Sequence, residues 1–194
     1  MAASELGNVL LTIARSAIAD QLGLPTQPGI THAALTQPGA TFVTLKRAGE
    51  LRGCIGSIRP VRPLGVDVRA NAVAAAFSDP RFPPLAAFEF DNVDVEVSLL
   101  TAEEPIGGVD EDDLLARLRP GLDGLILQLG QRRATFLPQV WEAIPDPREF
   151  LAALKQKAGL PAEFWSPQLN VSRYGVTKWL ESKDCLSDLP EVQP

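Results

Sequence analysis

Cysteine is scarce in this chain: two residues, Cys54 and Cys185, in 194. So few, set so far apart, make no disulfide framework. Histidine is scarcer still, with His32 alone, and one imidazole with two distant thiols cannot close a zinc site. The carboxylates show no metal-binding spacing, so no metal is expected. No phosphate loop or dinucleotide fingerprint is present, Gly107-Gly108 reads as a turn, and no cofactor is expected. Lys and Arg form no run and the net charge is −6. A nucleic-acid binder normally shows a basic stripe, so no nucleic-acid partner is expected. No apolar run approaches the roughly 18 residues that a bilayer demands. The N-terminal stretch lacks the basic start, apolar core and cleavage site of a signal peptide. The expectation is a reduced, cytoplasmic setting without a membrane partner.

What is present suits a packed core: 45% apolar residues, three Trp and eight Phe. The length fits one domain over residues 1–194, or one domain divided into two lobes, with a flexible tail from about 181 to 194. Residues 4–22 read as an amphipathic helix, with Ser4 as its cap and Gly23 and Pro25 at its end. Thr41 to Arg47 alternates, and Ala48-Gly49 turns it into a second strand, Glu50 to Ile58. Leu64 to Ser78 is an alanine-rich helix suited to close packing. Three prolines make Asp79 to Pro84 a loop. Val93 to Leu99 gives the cleanest strand pattern, with one face apolar and one polar. A short helix from Asp110 to Arg119 has acids in its first turn and Arg117 and Arg119 in its last. A hairpin follows over Leu122 to Leu137, then a helix opened by Asp146-Pro147-Arg148-Glu149 and stopped by Gly159. One further strand covers Asn170 to Leu180. Hairpins and separate helices in this mixture predict an α+β fold with antiparallel sheets.

The segment that carries chemistry is Leu51-Arg52-Gly53-Cys54-Ile55-Gly56. On a regular strand Arg52 and Cys54 share a face, about 6.6 Å apart along the backbone. A guanidinium beside a thiol stabilises the thiolate, which is the reactive form. Flanking glycines remove side chains that would hold a ligand or another backbone away.

Several segments, in this order, resemble the AMMECR family, whose microbial members include AmmeMemoRadiSam system protein A. They are Phe42-Val43-Thr44-Leu45, the hexapeptide, Asp79-Pro80-Arg81-Phe82-Pro83-Pro84-Leu85 and Val95-Glu96-Val97-Ser98-Leu99-Leu100. Asp123-Gly124-Leu125-Ile126-Leu127, Ala134-Thr135-Phe136-Leu137-Pro138 and Phe150-Leu151-Ala152-Ala153-Leu154 follow. Ser57 stands where many relatives have Thr, which keeps the hydroxyl. The resemblance implies two unequal lobes with the hexapeptide near a cleft, and occurrence beside Memo-type and radical-SAM proteins as partners. It supplies no settled activity.

Cys54 is the candidate nucleophile, set against the ordinary fate of an unpaired cysteine as a small packed residue. Arg52 and Arg81 are candidate anion-binding forks, set against structural ion pairs with Glu50, Asp79 or Glu96. Gly53 and Gly56 would admit the ligand. Glu96 and Ser98, on the polar face of the best strand, would serve as base or contact if that strand adjoins the Cys54 strand. His32 would need to fold over the hexapeptide to pair with Cys54. Trp141, Trp165 and Trp179 are expected in cores or lobe contacts. Two functions follow. One is a small-molecule or modified-group cleft centred on Cys54 and Arg52, taking a small anionic ligand. The other is a non-catalytic adaptor that docks partner proteins, with Cys54 structural.

Overall fold

The computed structural model describes residues 2–108 and 110–181. Cys185 and the tail expected from about 181 lie, after Glu181, outside the described residues. In chain order the elements are α1 (Ala2–Gln21), β1 (Pro38–Gly39), β2 (Thr41–Arg47), β3 (Glu50–Gly56), β4 (Arg62–Pro63), α2 (Leu64–Phe77) and β5 (Val93–Leu100). Then come β6 (Glu104–Pro105), α3 (Glu111–Ala116), β7 (Gly124–Leu129), β8 (Arg132–Phe136), α4 (Pro147–Lys157), β9 (Asn170–Tyr174) and β10 (Val176–Leu180). Two antiparallel four-stranded sheets result, ordered β10-β5-β2-β3 and β6-β9-β7-β8, with a two-stranded β1-β4 pair. The α+β expectation is met.

The chain divides into two compact units. The first runs to Leu99 and resumes at Lys178, and the second is Leu100–Thr177. In the first, the alternation of β2 and β5 sets Val43, Leu45, Val93, Val95 and Val97 on one face, all fully buried. They join Leu10, Ala14 and Ile18 of α1 and Val68, Ala72 and Ala75 of α2 in one core. Alanine on α2 is what lets a helix lie close to the sheet. A Cβ on Gly53 would stand 2.2 Å from the Ala75 carbonyl oxygen, so β3 and α2 touch backbone to backbone there. The second unit packs Trp141, Phe150, Leu151 and Leu154 against Leu125, Leu127 and Val171. Trp141 stacks on Phe150 at 3.8 Å between ring centroids and donates its indole N–H to the Asp123 carbonyl at 2.7 Å.

Local chemistry explains the element ends. Ala48 and Gly49 both have positive φ (51° and 83°), as the tight β2-β3 hairpin requires. The Asp146 carboxylate accepts the N–H groups of Arg148 and Glu149, both at 2.9 Å, and Pro147 opens α4. Gly159, at φ 75°, ends it.

Four expectations need correction. Helix α1 already runs from Ala2, so Ser4 sits inside its first turn rather than at a cap. Helix α3 stops at Ala116, leaving Arg117 at its cap and Arg119 beyond it. Asn170 to Leu180 is two strands, split at Gly175 and belonging to different four-stranded sheets. The strand β3 ends at Gly56 rather than reaching Ile58: Ser57 still donates its N–H to the Thr41 carbonyl (2.8 Å), in register with β2, but its side chain is drawn to Asp67.

Candidate functional site

Strand β3 forms one edge of the first sheet and, among the described residues, pairs only with β2. Their register is regular from Phe42↔Gly56 to Leu45↔Gly53, then shifts so that Lys46 faces Leu51. Arg52 is the extra residue of that bulge. A bulge breaks the period-two alternation by which residues 52 and 54 would share a face.

The shift changes what Arg52 does. It is buried, and its Nε and Nη2 donate to the two carboxylate oxygens of Glu89 at 3.0 and 2.9 Å. Its Nη1 donates to the Pro83 carbonyl at 3.1 Å. This two-pronged pair holds the Glu89 carboxyl down at about 2, helped by the Ala86 N–H and opposed by burial. A guanidinium engaged on all three nitrogens is a structural brace. The reading of Arg52 as an open anion clamp is corrected on that ground.

The cation that reaches Cys54 is Arg81. The Cys54 N–H donates to the Asp79 carboxylate at 2.8 Å, and its carbonyl accepts from Arg81 Nη2 at 3.3 Å. Both backbone groups of Cys54 thus point outward from the sheet edge, where the Asp79–Arg81 pair completes them as a neighbouring strand would. Arg81 also donates to Asp79 from Nε (3.0 Å), Nη2 (2.7 Å) and its backbone N–H (3.1 Å). Those Arg81 side-chain bonds come first in holding the buried Asp79 carboxyl far below the usual carboxylate range, against the opposing effect of burial. The Arg81 side chain is 53% exposed, and its Nη1 makes no hydrogen bond among the described residues. Phe82 supports the loop, its ring centre 5.9 and 5.6 Å from the guanidinium carbons of Arg52 and Arg81.

Because Cys54 bonds outward, it and Thr44 form a non-hydrogen-bonded cross-strand pair, the closer of the two kinds. The Thr44 hydroxyl accordingly donates to Cys54 Sγ at 3.3 Å. Cys54 is half-buried and unpaired. On the far side of β2, Thr44 faces Glu96. Cys54, Thr44 and Glu96 make one row across β3, β2 and β5, and Gly56, Phe42 and Ser98 make the next.

The expected neighbours therefore share a sheet face, but β2 lies between them. Glu96 stands two strand spacings from Cys54, roughly 9–10 Å, and pairs with Lys46 Nζ at 2.9 Å. That distance corrects its role as a base on the thiol. Ser98 is buried beside Phe42, not beside the hexapeptide. The space above Gly56 is filled by the Phe42 ring, 2.3 Å from a built Cβ, and that above Gly53 by helix α2. Both glycines admit protein rather than a ligand, which corrects that expectation. His32 caps a short turn, its Nδ1 accepting the Ala34 N–H at 3.1 Å, and makes no bond to Cys54.

Sequence reasoning missed two residues that hold the site. Glu89 is one. The other is Asp67, fully buried on α2, with Oδ2 accepting from Thr41 N (2.8 Å), Thr41 Oγ1 (2.7 Å) and Asn71 Nδ2 (2.9 Å). Its Oδ1 accepts from Ser57 Oγ (2.7 Å) and Arg62 Nε (2.8 Å), fixing the exit of the hexapeptide. The signal was available: Asp67 and Asn71 sit four apart on a helix otherwise almost wholly apolar. No group of three or more His, Cys, Asp or Glu suited to a metal occurs among the described residues.

Residues 11–179, which span both units and the whole Cys54 cluster, match the sequence model of the AMMECR1 family. The chain belongs to the AMMECR1 family. A protein of Methanothermobacter thermautotrophicus is 41% identical over 177 residues, covering 87% of this chain and 90% of its own. A Thermofilum pendens protein is 37% identical, covering 84% and 83%. The crystal structure of an uncharacterised protein, PH0010 from Pyrococcus horikoshii, superposes with a TM-score of 0.75 at 36% identity over 92% of each chain. AMMECR1-family membership brings no characterised activity with it.

Proposed function

We propose that this AMMECR1-family protein is a cytosolic thiol-centred protein. Cys54 engages an electrophilic carbon on a small anionic molecule or modified group, and Arg81 receives the anion. One observation carries the reading. The half-buried Sγ already accepts a hydrogen bond from Thr44, and a half-exposed guanidinium with a free Nη1 is clamped to the same residue's backbone. A hydroxyl donor and a nearby cation both favour a developing sulfur anion. The step is an addition: the S–H bond breaks and its proton goes to solvent, the S–C bond forms, and the electron pair of the carbon's broken π bond takes a proton back from solvent. The Memo-type and radical-SAM proteins implied by the family resemblance are the proposed suppliers or acceptors of that group.

The test compares two alkylating reagents of one shape and different charge, with Cys185 replaced by Ser. Iodoacetate should gain on iodoacetamide in the parent, and lose that advantage by about fivefold in Arg81→Gln, as about 1 kcal/mol of screened attraction requires. Equal ratios in the two proteins would remove Arg81 from the reading.

A second reading, a partner-docking adaptor, draws on one observation. Beyond the hexapeptide, Ile58, Val61 and Val66 are exposed aliphatics, Val61 at 79%. If docking is the role, Val61→Glu abolishes capture of a Memo-type protein while Cys54→Ser leaves it intact. Loss in Cys54→Ser alone would decide for the thiol.

A further inference from the structure

The first unit contains a cavity of about 340 Å³ that shares no residue with the Cys54 cluster. That volume falls in the range of small-molecule sites, about 300–1,000 Å³. Its lining includes an arginine already consumed. Arg15 of α1 donates from Nη1 to the Phe90 carbonyl (2.8 Å) and from Nη2 to the Val93 carbonyl (2.8 Å). Its Nε donates to Glu181 (3.0 Å), and Nη2 bonds the second Glu181 oxygen as well. The Glu181 N–H is tied to the Val95 carbonyl at 2.9 Å, so the acid is fixed to the sheet. The Arg15 guanidinium carbon also lies 4.8 Å from the centre of the Phe90 ring.

What the wall still offers is acceptors. Asp91, an exposed residue, is part of the cavity lining, and its carboxylate makes no hydrogen bond among the described residues. Ser16 and Gln27 belong to the same lining. The lining holds one cation, Arg15, and two acidic residues, Glu181 and Asp91, and the cation is satisfied by the first. The remaining surface is apolar, from Ala19, Pro25, Phe90 and Val93.

The geometry points to a binding site for a small primary amine with an apolar body. The ammonium group donates to Asp91, with the Ser16 and Gln27 oxygens as further acceptors. The carbon body displaces water from Ala19, Pro25 and Val93. A carboxylate of the same shape is rejected, because Asp91 and Glu181 repel it and Arg15 has no face left to offer. Recognition here is independent of Cys54, so this site and the thiol reading stand or fall separately.

The test is a heteronuclear NMR titration of the full chain with phenethylamine, and with 3-phenylpropionate as the anionic counterpart. The expected result is saturable submillimolar amine binding, with shifts concentrated at Ser16, Ala19, Phe90 and Val93, and no saturation by the carboxylate. Asp91→Asn, at an exposed position that leaves folding intact, should weaken the amine about tenfold. Ser16→Leu, which fills the cavity, should abolish binding. Absence of saturation, equal binding of amine and carboxylate, or unchanged affinity in Asp91→Asn would each overturn the assignment.

Discussion

Replacing Gly53 by Ala should destabilise the first unit more than its single added methyl suggests. The built Cβ lies 2.2 Å from the Ala75 carbonyl oxygen and 3.1 Å from its carbonyl carbon. Real Cβ atoms essentially never approach closer than 3.0 Å, so β3 and α2 must separate by nearly an ångström. The obstacle is helix backbone rather than the end of a flexible side chain, so no rotamer change relieves it. The shift would loosen Val68, Ala72 and Ala76 as well, all buried at 2% or less. Overpacking of this kind costs about 1–3 kcal/mol, and the backbone contact argues for the upper end. At about 2–4 °C per kcal/mol for a chain of this length, the melting temperature should fall by roughly 5–10 °C. Gly49→Ala is the control. It meets nothing within 4 Å but holds φ at +83°, and should cost about 1–2 kcal/mol through strain alone. Thermal and urea unfolding of both variants decide the matter. A Gly53→Ala protein as stable as the parent, or more stable than Gly49→Ala, would refute the close-contact argument.

Glu89→Gln strands the buried Arg52 guanidinium and should cost about 3 kcal/mol, read as a lower urea midpoint. Asp79 and Glu89 both have carboxyls held below their ordinary values in the folded chain, Glu89 at about 2. Their contribution is therefore complete above the ordinary carboxylate range and is lost as pH falls from about 4.5 toward 2. Urea midpoints measured across that interval should drop, less steeply in Glu89→Gln. A parallel slope in that variant would show the pair contributes nothing to acid stability. Glu96→Gln should leave the alkylation rate of Cys54 unchanged within about twofold, since β2 and Lys46 separate the carboxylate from the thiol. A tenfold slowing would return Glu96 to the site.

Local rules carried the elements a long way. The alternation of Val93, Val95, Val97 and Leu99 specified β5, and Ala48-Gly49 specified the hairpin, because period and turn chemistry are short-range properties. Asp146-Pro147-Arg148-Glu149 opened α4 for the same reason. The site was legible as a list of residues and not as an arrangement. Arg52 was read from simple alternation, and one bulge residue, invisible in sequence, moved it from thiol partner to Glu89 brace. The role of Glu96 rests on whether its strand adjoins the Cys54 strand, and nothing local says that β2 runs between β3 and β5. The glycines were read correctly as points of close approach, but what approaches, α2 and Phe42, depends on tertiary packing. Asp67 and Asn71 could have been flagged, since two polar residues four apart on an apolar helix demand buried partners.

The central claim is that Cys54 is an accessible thiol centre rather than a packed core residue. The most direct measurement is the rate of iodoacetamide modification of Cys54 in the native Cys185→Ser protein, followed by mass spectrometry, with and without urea. The account predicts complete modification of the folded protein, at a rate independent of unfolding. A thiol that reacts only in step with global unfolding would contradict it and leave Cys54 a structural residue of the β3 edge.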